Sequence, residues 1–161
     1  MANCVQNEIK ELFCSKGITL SAAESCTGGQ ISHLLTGVSG ASGYYLGSVT
    51  SYAIKVKVAV LGVDSLVIDK NGVVSSPVAI QMAEGVRRLT GSTYAVSTTG
   101  LAGPGGDGQN PEGTVWIGVC GPRSSRSICK VFKGNRARNI RHFAVCALQE
   151  LQKFVLEDLS E

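Results

Sequence analysis

The chain has 161 residues, of which 43% are hydrophobic and 17% charged. That composition suits one compact domain over residues 1–161 with a core of its own, and excludes a disordered chain. The net charge of +3 is too small to argue for nucleic acid, and no apolar run approaches the roughly 20 residues that crossing a bilayer requires.

The start, Met1-Ala2-Asn3-Cys4-Val5, has neither a basic region nor an apolar core, so no signal peptide and a cytoplasmic setting are expected. Val5, Ile9, Leu12 and Phe13 recur at helical spacing, and residues 3–15 read as an amphipathic helix ended by Gly17. Residues 18–23 read as a buried strand and residues 28–37 as a helix stopped by Gly37. Tyr44 to Tyr52, rich in aromatic and β-branched residues, reads as a second strand. Ile54 to Val63 fits two templates. Ile54, Val56, Val58 and Val60 alternate as in a strand, while Ile54, Val58 and Leu61 also suit a helix; the pattern alone favours the strand.

Ser76-Pro77 opens a helix with serine as cap, and Val78, Met82, Val86 and Leu89 mark its buried stripe. Thr93 to Ser97 is a short strand, and Gly100 to Gly113 a polar turn with six glycines and two prolines. Thr114–Cys120 and Ser127–Phe132 form a strand pair joined at Gly121-Pro122. The last helix carries Ile140, Phe143, Ala144, Ala147, Leu148, Leu151 and Val155 on one face. Helices at both ends and between strands predict a three-layer α/β/α domain with a mixed, mostly parallel central sheet.

The six cysteines form no C-x-x-C pair and only His33 and His142 accompany them, so metal-ligand spacing is absent, no cofactor is expected and the thiols are expected to be reduced. The chemistry is expected in four polar, turn-rich segments. Glu24-Ser25-Cys26-Thr27-Gly28-Gly29 lies between a strand and a helix, where free backbone N–H groups hold anions or support nucleophiles. Its plain reading is helix capping by Ser25 and Thr27. The others are Tyr52 to Lys57, Thr98-Thr99-Gly100-Leu101-Ala102-Gly103-Pro104-Gly105-Gly106, and Gly134-Asn135-Arg136 to Arg141.

In this order, over residues 4 to 155, the segments resemble the CinA C-terminal domain family, the nicotinamide-nucleotide amidases also called competence/damage-inducible domains. The Ala-Glu-Ser-Cys-Thr-Gly-Gly and Thr-Gly-Leu-Ala-Gly-Pro-Gly-Gly strings carry most of the resemblance. It implies an enzyme that hydrolyses the carboxamide of nicotinamide mononucleotide to nicotinic acid mononucleotide and ammonia, with Ser25 as nucleophile, Lys57 as its base, and Tyr52 and Thr99 orienting the lysine or the amide. A neutral lysine can take the serine proton once burial or nearby positive charge lowers its affinity for protons. Glu24, Cys26, Thr27, Gly28, Gly103, Gly105 and either Arg136 or Arg141 would bind substrate: backbone N–H groups near Ser25, Cys26 and Thr27 would hold the oxyanion, Glu24 would orient a catalytic cation or simply satisfy backbone donors, and an arginine or the Gly103–Gly106 loop would meet the phosphate. Cys26 stays open as an alternative nucleophile and Lys55 as an alternative base. The resemblance also implies a helix at 54–62, a homo-oligomer and a small nucleotide substrate, with neither nucleic acid nor membrane as partner.

Two segments depart from the family pattern. Tyr-Ser-Asn-Glu-x-Lys becomes Tyr52-Ala53-Ile54-Lys55-Val56-Lys57, and Gly-Asp-Arg becomes Gly134-Asn135-Arg136. They keep a second reading in view: a non-catalytic nucleotide-binding module of a competence or damage-response assembly. Nucleic-acid binding through Arg123 to Arg141 is a third, and would weaken steeply with salt.

Overall fold

The computed structural model describes residues 4–161. Five strands form one sheet: β1 (Leu20–Glu24), β2 (Tyr45–Thr50), β3 (Tyr94–Gly100), β4 (Thr114–Cys120) and β5 (Ser125–Val131), in spatial order β2-β1-β3-β4-β5. β1 pairs parallel with both β2 and β3, while β4 lies antiparallel between β3 and β5. The sheet is therefore mixed, with β4 alone running against the other strands. The chain leaves β1 for β2 on one side and reaches β3 on the other. That reversal opens a crevice at the carboxyl ends of β1 and β3, the usual ligand position in such sheets.

Three helices cover one face: α1 (Val5–Lys16), α2 (Gln30–Thr36) and α6 (Arg136–Ser160). Side-chain alternation along the strands feeds both layers. Leu20 and Ala22 of β1 pack with Ile9, Phe13, Phe143, Leu148 and Leu151, whereas Ala23 joins Leu61, Val78, Met82 and Val86 on the opposite face. Each large side chain fully buried in this way contributes about 1.5–3 kcal/mol. The other face carries α5 (Ser76–Thr90), with α4 (Ser65–Asn71) packed on it. Gly17, in the left-handed region at φ 63°, closes α1 as expected; the first residue of the helix expected at 3–15 lies outside the described residues.

Several boundaries differ from the sequence expectations. Residues 54–59 form a helix, α3, and not the strand that alternation favoured. The alternation template placed the valines inside and the lysines outside. In the fold Ile54 and Val60 are exposed, and Lys57 and Leu61, one helical turn apart, are buried. The residue preceding α5 is Ser75, with Ser76 and Pro77 inside the helix; the Ser75 hydroxyl donates to Gly72 O (2.8 Å) instead of capping. Leu89 falls off the buried stripe and is 56% exposed. β3 runs on to Gly100, and β5 begins at Ser125. α4 had no counterpart in the sequence reading; Asp64 caps it, accepting from Leu66 N (2.9 Å).

Candidate functional site

The site is built on the last rungs of the parallel ladder. One residue beyond the end of β1, Ser25 N donates to Thr98 O (3.1 Å); one beyond β2, Ser51 N donates to Glu24 O (2.8 Å). These bonds fix the backbones of Ser25 and Ser51 on adjacent strands. The chain then turns into α2 through Gly28 (φ 57°) and Gly29 (φ 104°), a left-handed pair that side chains would strain. Glu24, fully buried, accepts from the Thr27 hydroxyl (2.7 Å), Ile31 N (2.8 Å) and Ser32 N (3.1 Å). It satisfies the first donors of α2 from below. The Thr27 hydroxyl also meets that of Thr98 (2.8 Å). Glu24, Thr27 and Gly28 thus support the turn without lining the cleft above it, while Ser25 and Cys26 do line it.

α3 delivers Lys57 to the same place. Its side chain is 1% exposed, and Nζ lies 3.0 Å from Ser25 Oγ, 2.5 Å from Ser51 O and 3.4 Å from Tyr52 O. Lys57 takes part in none of the ion pairs among the described residues. Burial without a carboxylate partner holds its amine below the ordinary lysine value. Burial likewise pushes the Cys26 thiol up to about 12, so the sulfur beside Ser25 carries its proton. Lys55, the other lysine of this segment, is exposed and lies outside the cleft lining.

The cleft holds about 280 Å³. Thr99 lines it from the end of β3, and its hydroxyl donates to Val73 O (2.9 Å). Gly103 and Gly105 lie in the wall, with one backbone group of each already engaged: Gly103 O accepts from Arg136 Nη1 (2.7 Å), and Gly105 N donates to Glu112 Oε2 (2.9 Å). Arg136 Nη2 donates to Tyr52 Oη (3.1 Å). Of the two candidate arginines only Arg136 lines this cleft; Arg141 borders a separate groove with Lys130, Phe132 and His142. Asn139 went unnoticed in the sequence. It is fully buried, donates to Ala102 O (3.0 Å) and Gly134 O (2.9 Å), and accepts from Gly134 N (3.0 Å), tying α6 to the glycine-rich loop. A polar residue one turn ahead of Phe143, on an otherwise apolar stripe, was the signal available. Among the described residues no cluster of metal-ligating side chains is present, and no helix is long and apolar enough to cross a membrane.

A three-layer α/β domain with a serine and a buried lysine meeting at the carboxyl ends of its parallel strands defines the class. The family model for the CinA C-terminal domain matches residues 2–155, and the chain belongs to that family. It is 49% identical over 140 residues to a CinA-like protein of Salinibacter ruber, covering 86% of this chain and 34% of that protein. A CinA-like protein of Desulfosudis oleivorans is 44% identical over 155 residues, covering 94% and 37% respectively. The chain thus spans about a third of the length of the curated relatives it matches. Among solved structures it resembles the competence/damage inducible protein CihA from Agrobacterium tumefaciens, with TM-score 0.88, 30% identity and 92% of each chain covered. It also resembles a CinA superfamily protein from Klebsiella pneumoniae, with TM-score 0.92, 25% identity and coverage of 95% and 96%.

Proposed function

We propose that the chain is an amidohydrolase that converts nicotinamide mononucleotide to nicotinic acid mononucleotide and ammonia, with Ser25 as nucleophile and Lys57 as general base. The observation that carries this reading is the setting of the Lys57 amine. A neutral amine has two N–H donors and one lone pair. The carbonyls of Ser51 and Tyr52 take the two donors, which leaves the lone pair for the Ser25 hydroxyl, 3.0 Å away. Lys57 would accept the hydroxyl proton as Oγ attacks the carboxamide carbon. The resulting ammonium would then hand that proton to the departing amide nitrogen, releasing ammonia and an acyl-serine. Water, activated by the same amine, would hydrolyse the ester to the acid and restore Ser25.

The developing oxyanion needs donors. The Ser25 amide is engaged with Thr98 O, but those of Cys26 and Thr27 have no carbonyl partner among the described residues. They are the candidates for the hole, where one donor is worth about 2.7–4 kcal/mol in a comparable site. The Thr99 hydroxyl proton is engaged with Val73 O, so its oxygen can accept from the carboxamide NH₂. Arg136, held by Gly103 and Tyr52, keeps further N–H groups for the substrate phosphate.

Ammonia release from nicotinamide mononucleotide tests this. Ser25→Ala and Lys57→Met should each lower kcat by about 10²–10⁴-fold or more with folding unchanged, while Cys26→Ser keeps activity of the wild-type order. Wild type that binds the nucleotide without releasing ammonia would reduce the domain to a binding module.

A further inference from the structure

The cleft has functional side chains at its ends and almost none between them. Its buried end carries Ser25, Lys57 and Thr99; its exposed end carries Arg136 and the 62% exposed Tyr52. Each wall connects these ends along the chain. One runs from Tyr52 through Ile54 to Lys57, the other from Thr99 through Leu101 and Ala102 to Gly103. The intervening lining side chains are aliphatic, and Ile54, at the first position of α3, is 50% exposed. The neighbouring backbone carbonyls, and the Leu101 amide, are already engaged within the protein. Leu101 N donates to Thr114 O and Leu101 O accepts from Gly113 N, both at 2.8 Å. The carbonyls of Ala102, Val73 and Val74 accept from Asn139, Thr99 and Asn110.

We infer that the cleft reads its ligand at two points, a carboxamide at the buried end and an anion at Arg136, and leaves the spacer between them unread, with Ile54 as the residue that sets this tolerance. The inference rests on the amidase reading for the identity of the buried end. Its substrate class is wider than one nucleotide: planar carboxamides carrying an anion at about a mononucleotide's distance. The physical ground is an asymmetry of recognition. A site that hydrogen-bonds a hydroxyl rejects the analogue lacking it by about 10⁴–10⁵-fold, because its own polar groups are left unpaired. Aliphatic side chains have no such groups to strand, and discriminate by about 10²-fold at most. A ribose held against Ile54 and Leu101 finds its hydroxyls facing methyl groups.

Calorimetric titration of Ser25→Ala, which binds without turnover, tests the inference with three probes. They are nicotinamide mononucleotide, nicotinamide riboside, and an analogue in which a saturated alkyl chain of the same span replaces the ribose and joins ring to phosphate. The nucleotide and the alkyl analogue should bind within about tenfold of one another, with the riboside weaker than both by more than about tenfold. Ile54→Asn, a change at an exposed helix start, should shift the balance toward the nucleotide by about tenfold by adding a partner for a sugar hydroxyl. An alkyl analogue weaker than the nucleotide by about 10³-fold or more would overturn the inference, as would a riboside as tight as the nucleotide or no binding of any probe. Ammonia release by wild type is scored separately. Equal binding of the two anionic probes without ammonia release refutes the amidase reading and leaves two-ended recognition standing.

Discussion

Lys57 reads in the sequence as one more surface lysine on an alternating valine run, and nothing at the residue level sets it apart from Lys55. What distinguishes it is that α3 turns it inward, away from water and from every carboxylate that could hold it charged. Protonated Lys57 has no lone pair for Ser25, so the proposed mechanism needs the free amine. The kcat/KM profile should therefore rise with pH through an inflection below the ordinary lysine value, and Lys57→Arg, whose guanidinium stays protonated, should be inactive across the whole range. Stopped-assay ammonia release at stepped pH checks both. An inflection at the ordinary lysine value would remove the amine from the mechanism. Arg136 and Arg141 show a different limit of sequence reading. Five residues along a helix are about 140° apart, so one side can face the cleft and the other cannot. The choice between them depends on how α6 is rotated against the glycine-rich loop, which Asn139 fixes by a contact no local pattern encodes.

At the scale of elements, the strong periodic signals carried through. α1, α5, α6 and the β4–β5 hairpin lie close to where spacing and turn residues put them. The segment at 54–63 did not follow its pattern, because alternation assumes that the apolar residues are the buried ones. A buried lysine inverted that assumption, and the resemblance to the family rather than periodicity pointed to a helix there. α4 escaped because seven residues are too few for a convincing stripe. α5 invites a test of its own. Gly85 faces the end of the α3 segment so closely that an added Cβ would overlap Leu61 O and Leu61 C. Gly→Ala in a helix interior normally stabilises by about 1 kcal/mol. Here the collision should reverse the sign, and Gly85→Ala should lose about 1–3 kcal/mol in urea denaturation. A gain would show that the two segments part without penalty.

For the molecule as a whole, the buried amine also bears on stability. Its proton affinity is lower folded than unfolded, so between the depressed and the ordinary value the unfolded chain binds more protons, and stability rises with pH. Below that window the penalty is complete; above it, it is gone. Buried thiols and phenols act oppositely. Cys26, Tyr44 and Tyr94, each pushed up to about 12, hold protons that the unfolded chain releases, so they lose stability as pH climbs through their ordinary values. The difference between wild type and Lys57→Met isolates the lysine. The variant should melt higher at neutral pH, with its advantage fading at alkaline pH, in thermal scans by circular dichroism. A constant offset at all pH values would mean that packing, not charge, separates the two proteins.

The sheet sets the spacing of Ser25 and Lys57 through backbone bonds. Ser25 N and Ser51 N close the sheet, each on a carbonyl of a neighbouring strand. Ser51 is fully buried, and its carbonyl in turn accepts from Lys57 Nζ. A change at either rung would therefore move the serine and the lysine apart along the sheet, whatever the two side chains are.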